Sequence, residues 1–482
     1  MKSYKLITAG LLAASIASVA SALTGTVVNV VGATAFRTAA VNAQIAQLSH
    51  VGPNLLGGVA QTASIGASVT GAAISLVYGY DASGNEIIYR NHWTGSAAGA
   101  YDLSNGSLIS QLPTTVTPAV VNVNLASGSD TDSAAPDMSF GDTQAADLAA
   151  ALATGIGGST YSSAITAAGL VNAGTTVDKN IGVAAATFQW VLGNSAIAPA
   201  NWAALGYNLT QQNAAQLVAS GVLNLATVTG NTADATSYIA FVGRNEDSGS
   251  RIAYQAESLA GGTTGAAAFG ASTNQFMLKQ AGVAYPTGPY TGTGLDLNAY
   301  PAIAAGTSIT GFKLWPRLQA YPANTGWTVS TIPALTWKTV GHSGYNGGGD
   351  VKFVLATPNP VDLTVAANWP DGFSGLPAGA TKVYFVSCLG SSDVAGVTGG
   401  TPMKDNGVTY SANAVFEGQY SLFTWEHLYY KPSLAGVAKT AADGVADTLD
   451  GMTAAQIGAA GLPNNLFLNG LARGQVAGAR IP

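Results

Sequence analysis

Apolar residues along the chain follow two periods, one near two residues that is typical of strands and one near 3.6 that is typical of helices. Residues 26–31 form a β-branched apolar run, and Val41, Ile45 and Leu48 then recur at helical spacing until a Gly-Pro pair ends the pattern. The chain therefore opens with a predicted strand–turn–helix unit. Its turn, residues 32–36, is made of small residues and one phenylalanine.

The same unit recurs at residues 238–259, where an apolar run is followed by helical spacing. The turn between them contains Ser248-Gly249-Ser250, with Arg244 before it and Arg251 after it. A strand that enters a helix through such a turn leaves backbone N–H groups and hydroxyls directed at one point, which favours an oxyanion site. A second interpretation is that Ser248 only caps the helix, Gly249 only makes the turn, and both arginines are surface charges.

Two further turns have this composition. Residues 74–80 and 87–93 predict a hairpin, and its second strand leads into the glycine-rich and serine-rich residues 94–99. Residues 136–142 lead into an alanine-rich helix predicted at 143–152. These turns therefore resemble the first two in composition and in position between elements.

The remaining patterns predict strands at 180–191 and 382–389, a helix at 210–220, and either a strand or a helix at 351–355. Residues 104–135 and 261–330 are predicted to be irregular excursions, with a strand near 310–315 in the second. Strands that alternate with helices favour an α/β fold with mostly parallel sheets. Ligands of such sheets bind at the carboxyl ends of the strands, where the four turns are expected to meet.

Composition favours a secreted protein. Only 9% of the 482 residues are charged, against roughly 25% in an ordinary soluble protein. The net charge of −6 argues against a nucleic acid or an anionic membrane surface as partner. The chain is long enough for one large or two ordinary domains.

Residues 1–22 have the features of a secretory signal, with Lys2 and Lys5 before an apolar stretch and a small-residue cleavage site that ends at Ala22. We therefore expect a mature chain from Leu23 that is soluble in the periplasm or outside the cell. The single cysteine, Cys388, excludes an internal disulfide and is predicted to be a small buried residue in a strand.

The sequence does not favour an enzyme. It contains neither H-E-x-x-H nor a phosphate-binding G-x-x-x-x-G-K-[ST] loop, and its four histidines lack metal-ligand spacing. Asp247 beside Ser248 suggests a hydrolase, but no histidine lies near them in the sequence. The Glu426-His427 pair is predicted to belong to an aromatic cluster. We expect no catalytic residue, no metal and no cofactor.

With these residues in view, the chain resembles the phosphate-binding members of the type II periplasmic binding protein superfamily, the solute receptors of ABC phosphate importers. Residues 32–36 resemble the first ligand turn of that family, and residues 95–99 resemble its second. Residues 139–142 resemble the third, and Arg244 with Ser248-Gly249-Ser250 resembles the fourth. Residues 344–349, 383–393 and 420–429 are similar to later segments. The chain departs from the family pattern at Gly141, at Ser250 and at Arg37.

The resemblance implies a two-lobed fold with the ligand cleft between the lobes. Lobe 1 would comprise residues 23–148 and 396–482, the return segment and C-terminal helical region, and lobe 2 residues 149–395. The implied phosphate ligands are Thr34, Ala35, Phe36, Ser96, Asp142, Arg244, Ser248, Gly249 and Ser250.

In this interpretation Asp142 accepts the proton of hydrogen phosphate and thereby rejects sulfate. Its alternative role is to cap the helix predicted from residue 143. The implied partner is a membrane ABC permease, and the chain is expected to be a monomer. Two alternatives stay open: a receptor for another oxyanion such as molybdate or sulfate, and an extracellular surface or structural protein on the same fold.

Overall fold

The computed structural model describes residues 22–53, 55, 57–142, 177–244, 248–259, 275–283, 307–314, 344–345 and 347–451. The strands are β1 (Thr26–Gly32), β2 (Gln61–Ile65), β3 (Ile74–Tyr80), β4 (Glu86–His92), β5 (Ile109–Gln111), β6 (Val123–Leu125), β7 (Asp132–Ala134), β8 (Met138–Gly141), β9 (Val177–Leu192), β10 (Asn208–Leu209), β11 (Val222–Asn224), β12 (Ser237–Phe241), β13 (Phe276–Gln280), β14 (Ile309–Leu314), β15 (Lys382–Gly390), β16 (Thr401–Pro402), β17 (Lys404–Asp405) and β18 (Phe423–Tyr430). The α-helices are α1 (Arg37–Leu48), α2 (Ser96–Asn105), α3 (Ala200–Ala204), α4 (Gln211–Ser220), α5 (Leu225–Thr229), α6 (Gly249–Leu259), α7 (Gly348–Ala356), α8 (Ser391–Val394), α9 (Ala412–Phe416) and α10 (Gly436–Gly451).

The predicted α/β class is confirmed, and most predicted elements lie within a few residues of the observed ones. Residues 351–355, for which a strand and a helix were both open, form part of helix α7. The helix predicted at 143–152, residues 1–21 of the signal-like segment and most of 261–330 lie outside the described residues.

One 12-stranded sheet joins the elements, in the order β11-β12-β15-β9-β18-β8-β1-β4-β3-β2-β6, with β16 also paired to β9. We call β1–β4, β6 and β8 the first half of the sheet, and β11, β12, β15 and β16 the second half. The strands that carry the predicted turns pair in parallel, β1 with β4 and β8 in the first half and β12 with β15 in the second. The hairpins and the pairings with β9 and β18 are antiparallel.

Each half of the sheet has its own hydrophobic core. In the first half, Val28, Val30 and Phe140 pack against helices α1 and α10. In the second half, alternate residues of β12 enter different cores, Ile239 on one face and Ala240 on the other. Coverage on both faces explains why that strand is apolar at every central position.

Strands β9 and β18 cross between the halves. The register pairs Gly141 at the end of β8 with His427, whereas the end of β15, Gly390, pairs with Phe188 further along β9. Because β8 and β15 approach from opposite directions, their carboxyl ends face one another across the crossing strands. This geometry places the turns of both halves around one region.

The predicted lobe boundaries, residues 23–148, 149–395 and 396–482, stay a prediction. Residues 401–405 pair with β9 and β10, and Met403 packs in the same core as Trp190 of the second half. These pairings associate the segment with elements predicted for lobe 2.

No helix in the described part of the chain is both long and apolar enough to cross a membrane. Cys388 lies in the interior of β15 with no exposed surface, as predicted, and burial raises the pKa of its thiol.

Candidate functional site

The turns that follow β1, β4 and β8 meet at one edge of the first half. The Gly95 amide donates to the Gly32 carbonyl at 2.8 Å, and the Ala33 amide donates to the Phe140 carbonyl at 2.8 Å. Gly32 has a φ of 124°, and a Cβ there would overlap the backbone of Phe140. Glycine is therefore required at this position, because only a residue without a side chain permits this conformation and approach.

Asp142 is the central residue of the candidate site. It is 1% exposed, and its Oδ1 accepts a hydrogen bond from Ser96 Oγ at the start of α2. Its Oδ2 accepts from Ser250 Oγ in the first turn of α6, at 3.3 Å. A Cβ at Gly249 would overlap both Asp142 Oδ1 and Ser96 Oγ. The carboxylate thus lies where the beginnings of two helices meet, one from each half.

Helix α6 begins at this point because Ser248 caps it. The Arg251 amide donates to Ser248 Oγ at 3.3 Å, and the Ile252 amide donates to the Ser248 carbonyl at 3.0 Å. The capping role considered from the sequence is therefore confirmed for Ser248. The Ser248 hydroxyl accepts this bond through its oxygen and keeps its own hydrogen. It is therefore still able to donate a hydrogen bond to a ligand.

Arg244 is held by groups of the second half. Its Nε donates to the Tyr345 carbonyl at 3.3 Å. Its own carbonyl accepts from Arg251 Nη1 at 3.1 Å and from Gln275 Nε2 at 3.0 Å. Arg244 is 9% exposed and Arg251 3% exposed, so the interpretation of both as surface charges is wrong.

The charge of Arg244 affects the pKa of two buried carboxyl groups, Asp142 and Asp350. Burial raises the pKa of Asp142, while the Ser96 hydrogen bond, the charge of Arg244 and the Ser250 hydrogen bond lower it. Burial also raises the pKa of Asp350 in the first turn of α7, against the Gly347 amide and the charge of Arg244. The positive charge of Arg244 therefore favours the ionised form of both carboxyl groups.

The first predicted turn, residues 32–36, contacts the site through the backbone of Gly32 and Ala33 and not through the predicted ligands Thr34, Ala35 and Phe36. The Phe36 ring packs on Phe140 with 5.7 Å between ring centroids, so only its backbone is left for a ligand. Thr34 is half-buried and Ala35 is exposed. Among the described hydrogen bonds, none joins these three residues to Asp142 or Arg244.

Some residues that lie at the site were not predicted from the sequence to belong to it. Thr424 Oγ1 donates to the Asp142 carbonyl at 2.7 Å, and Glu426 is buried without exposed surface beside the same strand end. Gln275 and Tyr345 hold Arg244 from segments whose patterns are weak. The aromatic cluster predicted for the Glu426-His427 pair is present at His427, whose ring stacks on Tyr429.

Chemically, the arrangement combines hydroxyl and amide donors at helix N-termini, one guanidinium group and one acceptor carboxylate. Helix N-termini and arginine favour a compact anion, and the carboxylate additionally accepts a proton from a ligand that carries one. In the part of the chain that the structure describes, no group of histidine, cysteine and acidic residues has a metal-binding arrangement.

No protein-family model matches the sequence, and no curated protein matches it. Several solved structures are similar in fold. An ABC-type phosphate transport receptor from Vibrio cholerae is 11% identical, with a TM-score of 0.36 over 88% of this chain and 96% of that chain. A possible phosphate binding protein from Planctomyces limnophilus is 9% identical, with a TM-score of 0.35 over 92% and 95%. PstS from Borrelia burgdorferi is 9% identical, with a TM-score of 0.33 over 91% and 98%. These similarities concern the fold alone.

Proposed function

We propose that this protein is a secreted or periplasmic solute-binding protein that captures inorganic phosphate between two lobes and delivers it to a membrane ABC importer. The observation that carries the proposal is the position of Asp142. Its buried carboxylate from the first half meets the Ser96 and Ser250 hydroxyls at the starts of two helices, within the field of Arg244.

The combination of donors with one acceptor favours phosphate over sulfate. Hydrogen phosphate carries a proton that Asp142 accepts, whereas sulfate has none and would place its oxygen against the carboxylate. A buried acceptor that faces another acceptor costs the desolvation energy of both, about 1–3 kcal/mol or more for charged groups. The proposed ligand groups are the backbone of residues 34–36, the Thr34 hydroxyl, Ser96, Asp142, Arg244 and residues 248–250.

We also propose how the ligand enters. Ser96 and Ser250 now donate to Asp142 itself, and Gly249 lies against the same carboxylate. Phosphate must therefore separate the turns of the two halves, replace these serine contacts and leave one oxygen facing Asp142. Strands β9 and β18 are the connections around which we propose that the lobes open.

Two other functions are distinguished by the ligand. A receptor for molybdate or sulfate would use the same donors but would not need a proton acceptor. A surface or structural protein on the same fold would need no small anion at all. We propose a binding function without enzymatic activity, because Asp142 is surrounded by hydroxyl donors.

Scanning fluorimetry of the mature protein with phosphate, sulfate, molybdate and citrate tests the proposal. At a ligand concentration near 100 times Kd, binding stabilises the folded state by about 2.7 kcal/mol, which gives a measurable rise in Tm. We expect phosphate to raise Tm and equimolar sulfate to leave it unchanged. A rise with sulfate or molybdate alone would reassign the ligand, and no rise with any oxyanion would contradict the receptor function.

A further inference from the structure

Glu426 is a buried acid without a hydrogen-bond partner. It lies in β18 with no exposed surface, and neither carboxyl oxygen has a partner among the described residues. A buried ionised carboxylate without partners is strongly disfavoured, and the group remains neutral instead. A buried polar group of this kind is rare enough to suggest a function.

The register places this acid beside Asp142. His427 pairs with Gly141 in the antiparallel ladder of β18 and β8, so one further step brings Glu426 opposite Asp142. Residues directly opposite in an antiparallel pair have Cβ atoms about 4.5–5.5 Å apart. The Thr424 hydroxyl fixes this junction through the Asp142 carbonyl.

The charged and titratable groups around Glu426 come from three elements. Asp142 directly follows strand β8, and β18 itself contributes His427, whose ring is stacked on Tyr429. Helix α6 packs against β18 and carries Arg251 and Tyr254. On the other side, the ladder partner in β9 is Ile181. Burial first, and then the charge of Asp142, raises the pKa of Glu426 well above its ordinary value.

We propose that Glu426 is a second carboxyl group of the anion site, held as the neutral acid behind Asp142, and that its ionisation at alkaline pH weakens oxyanion binding. The proton keeps a second negative charge away from the ligand while Asp142 faces it. This inference rests on the proposed phosphate-binding function, and it adds a residue that controls the pH range in which that site works.

The first test needs no ligand. For an acid whose pKa is raised by folding, stability is greatest below the unfolded pKa and falls as the pH rises towards the folded pKa. The unfolding equilibrium constant of the wild type, divided by that of Glu426→Gln, should therefore increase about tenfold per pH unit above roughly pH 4.3. Denaturant unfolding from pH 5 to pH 9 measures this ratio. A ratio that does not change with pH would overturn the proposal.

Asp405→Asn is the matched control. Asp405 is a buried acid in β17 that accepts hydrogen bonds from Trp190 and Ser421, and burial raises its pKa to about 6. The unfolding equilibrium constant of the wild type, divided by that of Asp405→Asn, should rise only up to about pH 6 and then stay constant. The corresponding ratio for Glu426→Gln should continue to rise. Glu426→Leu, which removes the acid with an apolar side chain of similar size, replaces the amide variant if that does not fold.

The second test measures Kd for inorganic phosphate in the wild type and in Glu426→Gln as the pH is raised from 7 to 10. The wild-type Kd, divided by that of the variant, should increase by about tenfold or more over this range, because only the wild type gains a second negative charge beside Asp142. A ratio of the two Kd values that does not change with pH would overturn the proposal. No phosphate binding by the wild type would contradict the proposed function, while the unfolding ratios would still decide whether Glu426 is neutral.

Discussion

The two halves of the sheet contribute opposite charges to the same region, and they hold those charges differently. In the second half, Arg244 is fixed by Tyr345, Arg251 and Gln275, all on that side. In the first half, Asp142 accepts one hydrogen bond from Ser96 of its own half and one from Ser250 of the other.

We propose that this difference separates affinity from selectivity. The guanidinium is held by a group of its own half, so in the proposed function it would attract an anion with little reorganisation. Asp142 receives its second hydrogen bond, from Ser250, only where the two halves are in contact. We therefore expect the carboxylate to be sensitive to a ligand that binds between them. We therefore expect substitutions around Arg244 to change affinity for every oxyanion, and substitutions at Asp142 to change the choice among them.

Arg244→Ala should have the largest effect. Truncation of one partner of a buried charge pair typically costs 2–5 kcal/mol or more, which corresponds to a loss of at least about 30-fold in phosphate Kd. Isothermal titration measures it. Arg90→Ala is the matched control, because Arg90 is an equally buried arginine that bonds to Asn29 away from the site. Equal losses in both variants would show that Arg244 has no special position.

Gly249→Ala should have the next largest effect, on the stability of the fold. A methyl group at Gly249 would overlap Asp142 and Ser96, and overpacking of this kind costs about 1–3 kcal/mol. We expect a lower free energy of unfolding in denaturant titrations. Gly349→Ala provides the comparison, since that glycine is in the first turn of α7 with nothing within 4 Å of its Cβ position. If the two variants were equally stable, the close approach of α6 to Asp142 would be refuted.

Arg251→Ala should have the smallest effect of the three. It removes one hydrogen bond to the Arg244 carbonyl and leaves the one from Gln275. One such bond contributes about 0.5–1.5 kcal/mol, which predicts a loss of phosphate affinity of up to about tenfold, measured by the same titration. Its effect is indirect, through the position of Arg244. A loss as large as that of Arg244→Ala would indicate that Arg251 contacts the ligand itself.

The sequence predicted the elements whose signals are local. The strand–turn–helix units around β1 and β12 follow from apolar spacing within fewer than 25 residues, and the hairpin of β3 and β4 follows from its turn residues. Residues 351–355 were ambiguous because their apolar run fits both periods. In the structure the Gly347 amide donates to Asp350 Oδ2 at 3.0 Å, a contact that stabilises the first turn of a helix. The segment is accordingly helical, as part of α7.

The supports of the site could not be predicted because they are distant in sequence. Tyr345 lies 101 residues from Arg244, and Thr424 lies 282 residues from Asp142. Glu426 occurs in an aromatic-rich strand, and only the register of β18 with β8 places it at the strand end. Register depends on the complete sheet, so a single apolar run does not specify it.

The proposed selectivity for phosphate depends most directly on Asp142, and Asp142→Asn tests it. If the carboxylate accepts the phosphate proton, the amide should lower the preference for phosphate over sulfate by about tenfold or more, because it donates to an unprotonated anion and no longer repels it. The measurement is the ratio of the phosphate and sulfate Kd values for the wild type and the variant at one pH. A reduced ratio is the predicted result. An unchanged ratio would contradict selectivity by Asp142 and return the residue to a capping role for the segment that follows it.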